Sequence, residues 1–336
     1  MRTLARADRV ASDEAADAIA RAPRHRMWWC GALAALAWLA IAGFVERWPD
    51  VGDVGPTGLL AGCMAAIGFV LLAASVASPR LDLPRLFRAG PWLVVLPLLL
   101  GAWELASAKL NLLPRPFFAA PQSLLEVYTE DWPRLGESTY HSVMLLATGY
   151  VVGASLGFVS GVAIGWSRAV GYWAHPVLRL VGPLPATAWL PLSFFVFPSS
   201  WSASVFLIAL ATGFPVTVLT WSGVASVNAA YYDVARTHGA RPAFLILKVA
   251  IPAAMPSVFV GLFMGLGGSF AVLVVAEMLG VKSGLGWYLS WAQGWAAYAN
   301  MYAALIVMAL MCSGLITLLF RLRDRLLAWQ KGLLRW

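Results

Sequence analysis

Long apolar runs alternate with short polar segments along this chain, and the lengths of the runs set the architecture it can adopt. No Asp, Glu, Lys or Arg occurs from Met27 to Val45, Val54 to Ser78, Ala89 to Ala102, Ser142 to Ser167 or Leu180 to Asn228. A hydrocarbon core about 30 Å thick takes about 20 apolar residues per helix, so each run can cross it once and the last one twice with a turn. This pattern predicts eight spans, at residues 28–45, 57–78, 91–109, 139–166, 177–197, 202–223, 253–277 and 299–321. Two further segments have the pattern of helices lying along a membrane surface. Residues 121–132 begin at Pro121 and separate Leu124, Leu125 and Tyr128 from Glu126, Glu130 and Asp131. Residues 284–297 carry Trp287, Tyr288, Trp291 and Trp295, as an aromatic belt does or as a loop packed on the bundle would.

Composition agrees with the run lengths: of 336 residues 60% are hydrophobic and 12% charged, about half the charged share of a soluble domain. The first apolar run starts only at Met27, after a segment of mixed charge, which reads as a retained cytoplasmic tail over residues 1–26 and not as a signal peptide. With the N-terminus inside, 19 of the 24 Lys and Arg residues fall on inner segments. Only Arg47, Lys109, Arg115, Arg134 and Lys282 remain outside. That asymmetry orients the bundle with both termini cytoplasmic and accounts for the net charge of +8 without a nucleic-acid partner. Cys30, Cys63 and Cys312 lie inside apolar segments, as packing residues do, and the four histidines show no metal-ligand spacing.

Three features inside the spans could carry function. Gly149, Gly153, Gly157, Gly161 and Gly165 recur every fourth residue and advance only about 40° per step, forming one slowly winding groove for close helix packing. Gly153–Gly157 also fits the serine-hydrolase elbow formally, but that motif needs a strand-to-helix turn and partners that a membrane helix lacks. Pro183, Pro185 and Pro191 must break or kink the fifth span, because each removes a backbone donor. Irregular backbone at membrane depth is tolerated where protein buries it or a cavity wets it, so Pro185, Thr187, Trp189 and Pro191 are candidates for a translocation pathway; a merely kinked helix is the alternative. Glu104 and Glu277 lie toward the outer ends of their spans, near Lys109 and Lys282, and Glu277 is a candidate for the pathway or gate. Gly280–Gly284 lacks the phosphate-loop spacing, so the chain is expected to be no enzyme and to hold no nucleotide.

Between the sixth and seventh spans, Asn228–Pro252 reads as a short helix to His238, a stop at Gly239, and a second short helix that starts at Pro242 and ends before Pro252. Ala229, Ala230 and Ala235 leave room for a partner, and Arg236, Arg241 and Lys248 face anionic lipid or an acidic surface. A DNA-binding role is excluded by the tether to the bilayer at both ends.

This segment resembles the EAA loop of bacterial ABC importer permeases. Asp233, Ala235, Gly239, Ala240 and Pro252 fall at the acid, alanine, glycine, alanine and proline of that pattern; Asp233, Val234 and Ala250 depart mildly from the usual residues. Leu112–Pro116, Gly182–Pro185, Ala188–Pro191, Val275–Gly280 and Ser283–Gly286 look like segments of the nitrate, sulfonate and taurine branch, over residues 91–330. Pro198–Trp201 departs from the glycine-containing turn usual in that branch. The resemblance implies an all-α integral membrane fold: a six-helix type I importer permease core at 91–330, preceded by an additional transmembrane hairpin at 27–80. It implies a cytoplasmic coupling loop at 228–252 in which Asp233, Ala235, Arg236, Gly239, Ala240, Arg241 and Pro252 meet the ATPase.

By the same resemblance the chain is a permease for a small anionic solute such as a sulfonate, taurine, nitrate or a related organic acid, in the inner membrane of a bacterium. Its expected partners are ABC ATPase subunits that hold ATP and Mg, a second permease copy forming a homodimer, a periplasmic solute-binding protein and the lipid bilayer; it binds no cofactor itself. The hairpin, preceding the part that carries the resemblance, is expected to be removable. The rival reading, a secondary transporter driven by an ion gradient, would call for inverted repeats and charged groups at mid-membrane.

Overall fold

The computed structural model describes residues 28–77 and 84–329, and no strand occurs among them. In chain order the helices are α1 (Trp29–Arg47), α2 (Thr57–Ala77), α3 (Pro84–Glu104, extended by a π-helical turn over Leu105–Lys109), α4 (Pro121–Glu130), α5 (Trp132–Trp166) and α6 (Arg168–Val181). A 3₁₀ turn, Ala186–Trp189, leads into α7 (Leu190–Val196), followed by α8 (Ser200–Ala225), α9 (Ala229–Thr237), α10 (Pro242–Leu279), α11 (Leu285–Gly294) and α12 (Tyr298–Leu326). Seven of these helices are long and apolar enough to cross a membrane, and α6 with residues 186–196, bent by 86°, has the length and composition of an eighth if the pair is counted as one span. The described residues form two compact units, one up to Glu126 and one from Val127.

In the first unit α1 packs against both α2 and α3. Small residues on α1, Ala34, Ala35 and Ala42, are buried with Trp38, Ala61 and Met64, and the Trp38 indole N–H donates to the carbonyl of Leu93 on α3 at 3.1 Å. The ends of α1 and α3 are joined by a buried lysine. Lys109, 2% exposed, donates from Nζ to the carbonyls of Val45 (2.6 Å) and Trp48 (2.5 Å) and pairs with Asp50 (2.8 Å) and Glu104 (3.7 Å). Gln122 Nε2 donates to Glu104 Oε1 at 3.0 Å, and Thr57 Oγ1 donates to Asp50 Oδ2 at 2.6 Å, so the network reaches the start of α2. Arg115 donates to the carbonyls of Asp53 and Val51, closing the same loop from its exposed side. The first two spans are thus packed and hydrogen-bonded to the third.

In the second unit α5 and α8 lie against each other along the whole glycine series. A Cβ on Gly149 would stand 2.6 Å from Cβ of Ile208; one on Gly157, 2.6 Å from the carbonyl of Gly213; one on Gly161, 2.6 Å from Cβ of Thr220; and one on Gly165, 2.7 Å from Cβ of Val224. The α8 backbone occupies the groove that the missing side chains leave. On its other side α8 receives α10, where Gly261 and Gly265 allow the same close approach. Helix α11 is packed into the bundle through Leu285, Tyr288, Leu289 and Ala292, which are buried, whereas Trp295 is exposed. Tyr288 Oη donates to Asp131 Oδ2 at 2.6 Å, and Asn300 donates to Tyr288 Oη at 2.7 Å, tying α11 to the start of α5 and to α12. Burial, with the Asp131 carboxylate beside it, pushes the Tyr288 phenol well up, so it stays a donor.

The structure corrects the expected boundaries at two places and the expected packing of two cysteines. The helical segment leading into the fifth span begins at Arg168, not 177, and the chain breaks at 182–185 with an 86° bend between its halves. The second helix of the 228–252 segment does not end before Pro252. It continues through a π-helical turn at Leu245–Ala250 into the rest of α10, with Pro252 just past that turn. Cys30 and Cys63 are exposed on their helices and do not pack in the core.

Candidate functional site

Two regions of the second unit hold the candidate residues. The first is the segment between α8 and α10. Asn228 Oδ1 accepts from the Ala230 N–H at 3.0 Å and starts α9; Gly239, at φ +77°, ends it. The Gly239 N–H donates to the Arg236 carbonyl (2.9 Å) and the Ala240 N–H to the Ala235 carbonyl (3.1 Å), the paired bonds of a Schellman stop. Burial of the base anchors the segment: Leu245 and Ala250 are buried, and Tyr232 meets Trp166, at the end of α5, edge to face at 5.9 Å. Everything beyond that base is open. Tyr231, Asp233, Val234, Arg236, Gly239 and Arg241 are exposed, Ala235 and Ala240 half-buried, and Asp233 meets only Arg236 at 3.2 Å across an exposed ion pair worth little by itself. Pro252 is the one residue of the resemblance that stands apart, inside α10 just past its π-helical turn and half-buried.

The second region is the break between α6 and α7. Pro185 takes an extended conformation (φ −62°, ψ 139°), and the irregular backbone from Gly182 to Thr187 lines a cleft of about 320 Å³. Leu210, Ala211, Phe214 and Pro215 of α8 and Gly268, Ala271 and Val272 of α10 form its other walls. Thr187 contributes the hydroxyl of an otherwise apolar lining. Trp189 is not on the cleft but packs with its core neighbours, its indole N–H buried and without an acceptor among the described residues. Pro191 is exposed on the outer side of the bend.

Glu277 lies elsewhere. It is 1% exposed, and its partner is not Lys282: the carboxylate accepts from Ser142 Oγ at 2.7 and 2.9 Å and from the Gly286 N–H at 2.8 Å. Ser142 Oγ in turn accepts from the Leu285 N–H at 2.7 Å. Gly284, at φ +102°, leaves the space where a side chain would run into that carboxylate. The acid therefore staples the α10–α11 turn to α5, and it does not line the cleft at Pro185 and Thr187. Sequence reading missed Ser142 and Phe214. Nothing marks either in the chain, since a serine or a phenylalanine in an apolar run is ordinary, although the Ser283–Gly286 segment beside Glu277 did stand out.

Residues 149–331, which include the glycine series, the cleft and the α9 segment, match the family of binding-protein-dependent transport system inner membrane components. The chain belongs to this family. Among relatives of this transport family, the nitrate import permease protein NrtB of Synechococcus elongatus is 29% identical over 73% of this chain and 90% of its own length. The putative aliphatic sulfonates transport permease protein SsuC of Bacillus subtilis is 31% identical over 57% of this chain and 69% of its own. The bicarbonate transport system permease protein CmpB of Synechococcus elongatus is 30% identical over 59% and 69%. This transport component is accordingly a multi-pass ABC importer permease of the nitrate, sulfonate and bicarbonate branch, a membrane subunit and not an enzyme, and its kinship implies ATPase and binding-protein partners. The ion-gradient reading is set aside by the same matches.

Proposed function

We propose that this permease imports a small oxyanion, of the size of nitrate, bicarbonate or a short alkanesulfonate such as taurine, and that residues 228–252 couple it to the ATPase. The observation that supports coupling is the form of α9: an exposed short helix, anchored only at its base and stopped by Gly239, with Tyr231, Val234, Asp233 and Arg236 on its free surface. Asp233, Ala235, Arg236, Gly239, Ala240 and Arg241 would meet a cleft on the ATPase, which holds ATP and Mg. Pro252 would act through the π-helical turn that joins the loop to α10. The cleft at Pro185 and Thr187 would be one wall of the pathway, completed by a second copy of the chain, with a periplasmic binding protein delivering the solute. The Lys and Arg distribution supports an inner-membrane orientation with both termini, including the tail at 1–26, in the cytoplasm.

The test is reconstitution of the complex with its ATPase and binding protein in sealed vesicles, with uptake of nitrate, bicarbonate, ethanesulfonate and taurine followed. Accumulation of at least one of them, strictly dependent on ATP and on the binding protein, is the expected result. Accumulation driven by an ion gradient without ATP, or of neutral solutes alone, would overturn the reading.

A further inference from the structure

The groove between α6–α7 and α8 holds a second cleft, of about 330 Å³, lined by His175, Leu178, Arg179, Phe214, Val218 and Trp221. Phe214 lines both clefts, and its ring fills the place where a Cβ on Gly182 would stand, so Phe214 against Gly182 is the wall between them. Val218 and Trp221 belong to the last two turns of α8. The second cleft therefore lies nearer the end of the bundle where α9 begins.

Its electrostatics differ from those of the first. Between Glu137 and Asp233 the chain has no acid, and Arg168 and Arg179 are the only Lys or Arg there. Arg179 is exposed to the cleft and makes no ion pair or hydrogen bond among the described residues. His175, one turn earlier on α6, is held with its ring 4.3 Å from that of Trp221 and has no hydrogen-bond partner among them. An uncompensated guanidinium beside an aromatic floor, at the edge of an apolar segment, attracts a planar or tetrahedral oxyanion, which the fork of N–H donors can grip at two oxygens. We infer that this cleft is an oxyanion site: a station where the imported anion rests on its way past Phe214 toward the α9 end, held by Arg179 with His175 as a second donor. The inference rests on the anion reading proposed above. A lipid phosphate would offer the same chemistry to Arg179, so the test has to separate the two.

The complex with its ATPase, without binding protein, is placed in nanodiscs of phosphatidylcholine alone, and binding of labelled nitrate and ethanesulfonate is measured by equilibrium dialysis. ATP-driven uptake of the same anions is measured in parallel with the complete system. The wild type is expected to bind one of them, Arg179→Gln to bind about tenfold or more weakly, Arg179→Lys to retain part of the affinity, and Arg168→Gln to match the wild type. Transport without any effect of Arg179→Gln on binding overturns the station and leaves the import reading intact. Absence of nitrate and ethanesulfonate binding, with labelled phosphatidylglycerol in the disc retained by the wild type and not by Arg179→Gln, shows a headgroup site and also overturns it. If the wild type neither binds nor transports these anions, both fall; binding without transport overturns the import reading and the station with it.

Discussion

Lys109 Nζ lies 2.8 Å from Asp50 Oδ1 with the ammonium group fully buried, so the last residue of the third span is paired with the loop that closes the first two. Removing one partner from such a pair costs about 3–5 kcal/mol, because the remaining charge keeps its burial without its compensation. Lys109 also takes two carbonyls from the end of α1. A chain lacking residues 1–80 would lose all three of these partners together. Such a truncation, which sequence reading expects to be harmless, should instead accumulate poorly and elute as aggregate in detergent. Lys109→Met should lower thermal stability markedly, and Asp50→Asn combined with Lys109→Met should be less destabilised than the two single changes added together. Normal yield and transport from the truncated chain would show that the hairpin is an appendage after all.

Gly239 is the position where the coupling role can be separated from folding. Its φ of +77° costs a β-branched residue about 1–3 kcal/mol, while nothing lies within 4 Å of where a Cβ would stand. Gly239→Val should leave insertion and yield near normal but weaken co-purification of the ATPase and substrate-stimulated hydrolysis, and Gly239→Asn should be milder because asparagine tolerates that conformation. Asp233→Ala should also be mild, since it removes one exposed contact. Full coupling in the valine variant would remove α9 from the coupling interface.

Glu277 should behave as a staple and not as a gate. Glu277→Gln keeps one acceptor oxygen for Ser142 and the Gly286 N–H, and should cost about 1–3 kcal/mol in detergent melting. Gly284→Ala should cost more, through its left-handed backbone and the carboxylate behind it. Uptake per folded molecule should be unchanged in Glu277→Gln. A selective fall in uptake with unaltered melting would restore the acid to the pathway.

Orientation can be read with single cysteines once the exposed Cys30 and Cys63, and Cys312, are replaced. Gly136 is exposed and has open space around it, so Gly136→Cys should fold and react with an impermeant maleimide from the periplasmic side, whereas Arg241→Cys should not. The reverse pattern would invert the topology.

The spans were legible because run length and the glycine period are properties of the chain alone. The fifth span was legible as broken, but not where its leading helix began, since the amphipathic turn from Arg168 to Leu178 carries no uninterrupted apolar run to count. Pro252 misled because a proline costs a regular helix one hydrogen bond without having to end it: Pro256 in the same helix and Pro215 in α8 are passed in the same way. Glu277 was visible as an acid near a span end, yet its partners are a hydroxyl 135 positions earlier and a backbone N–H nine positions on, which no charge pattern marks. Lys109 and Asp50 meet because α1 and α3 lie side by side, a neighbour relation absent from the linear sequence.

The five glycines of α5 bring its backbone directly against the backbone and the side chains of Ile208, Thr220 and Val224 on α8, so separating the pair would uncover backbone. Two helices packed this closely form one layer of the bundle. Tyr232 of α9 rests on Trp166 at one end of that pair, and α9 itself follows directly from α8. A load placed on the exposed face of α9 would therefore meet α5 through Trp166 and α8 through the chain itself, and the far end of α5 is the end where Ser142 grips the α10–α11 turn.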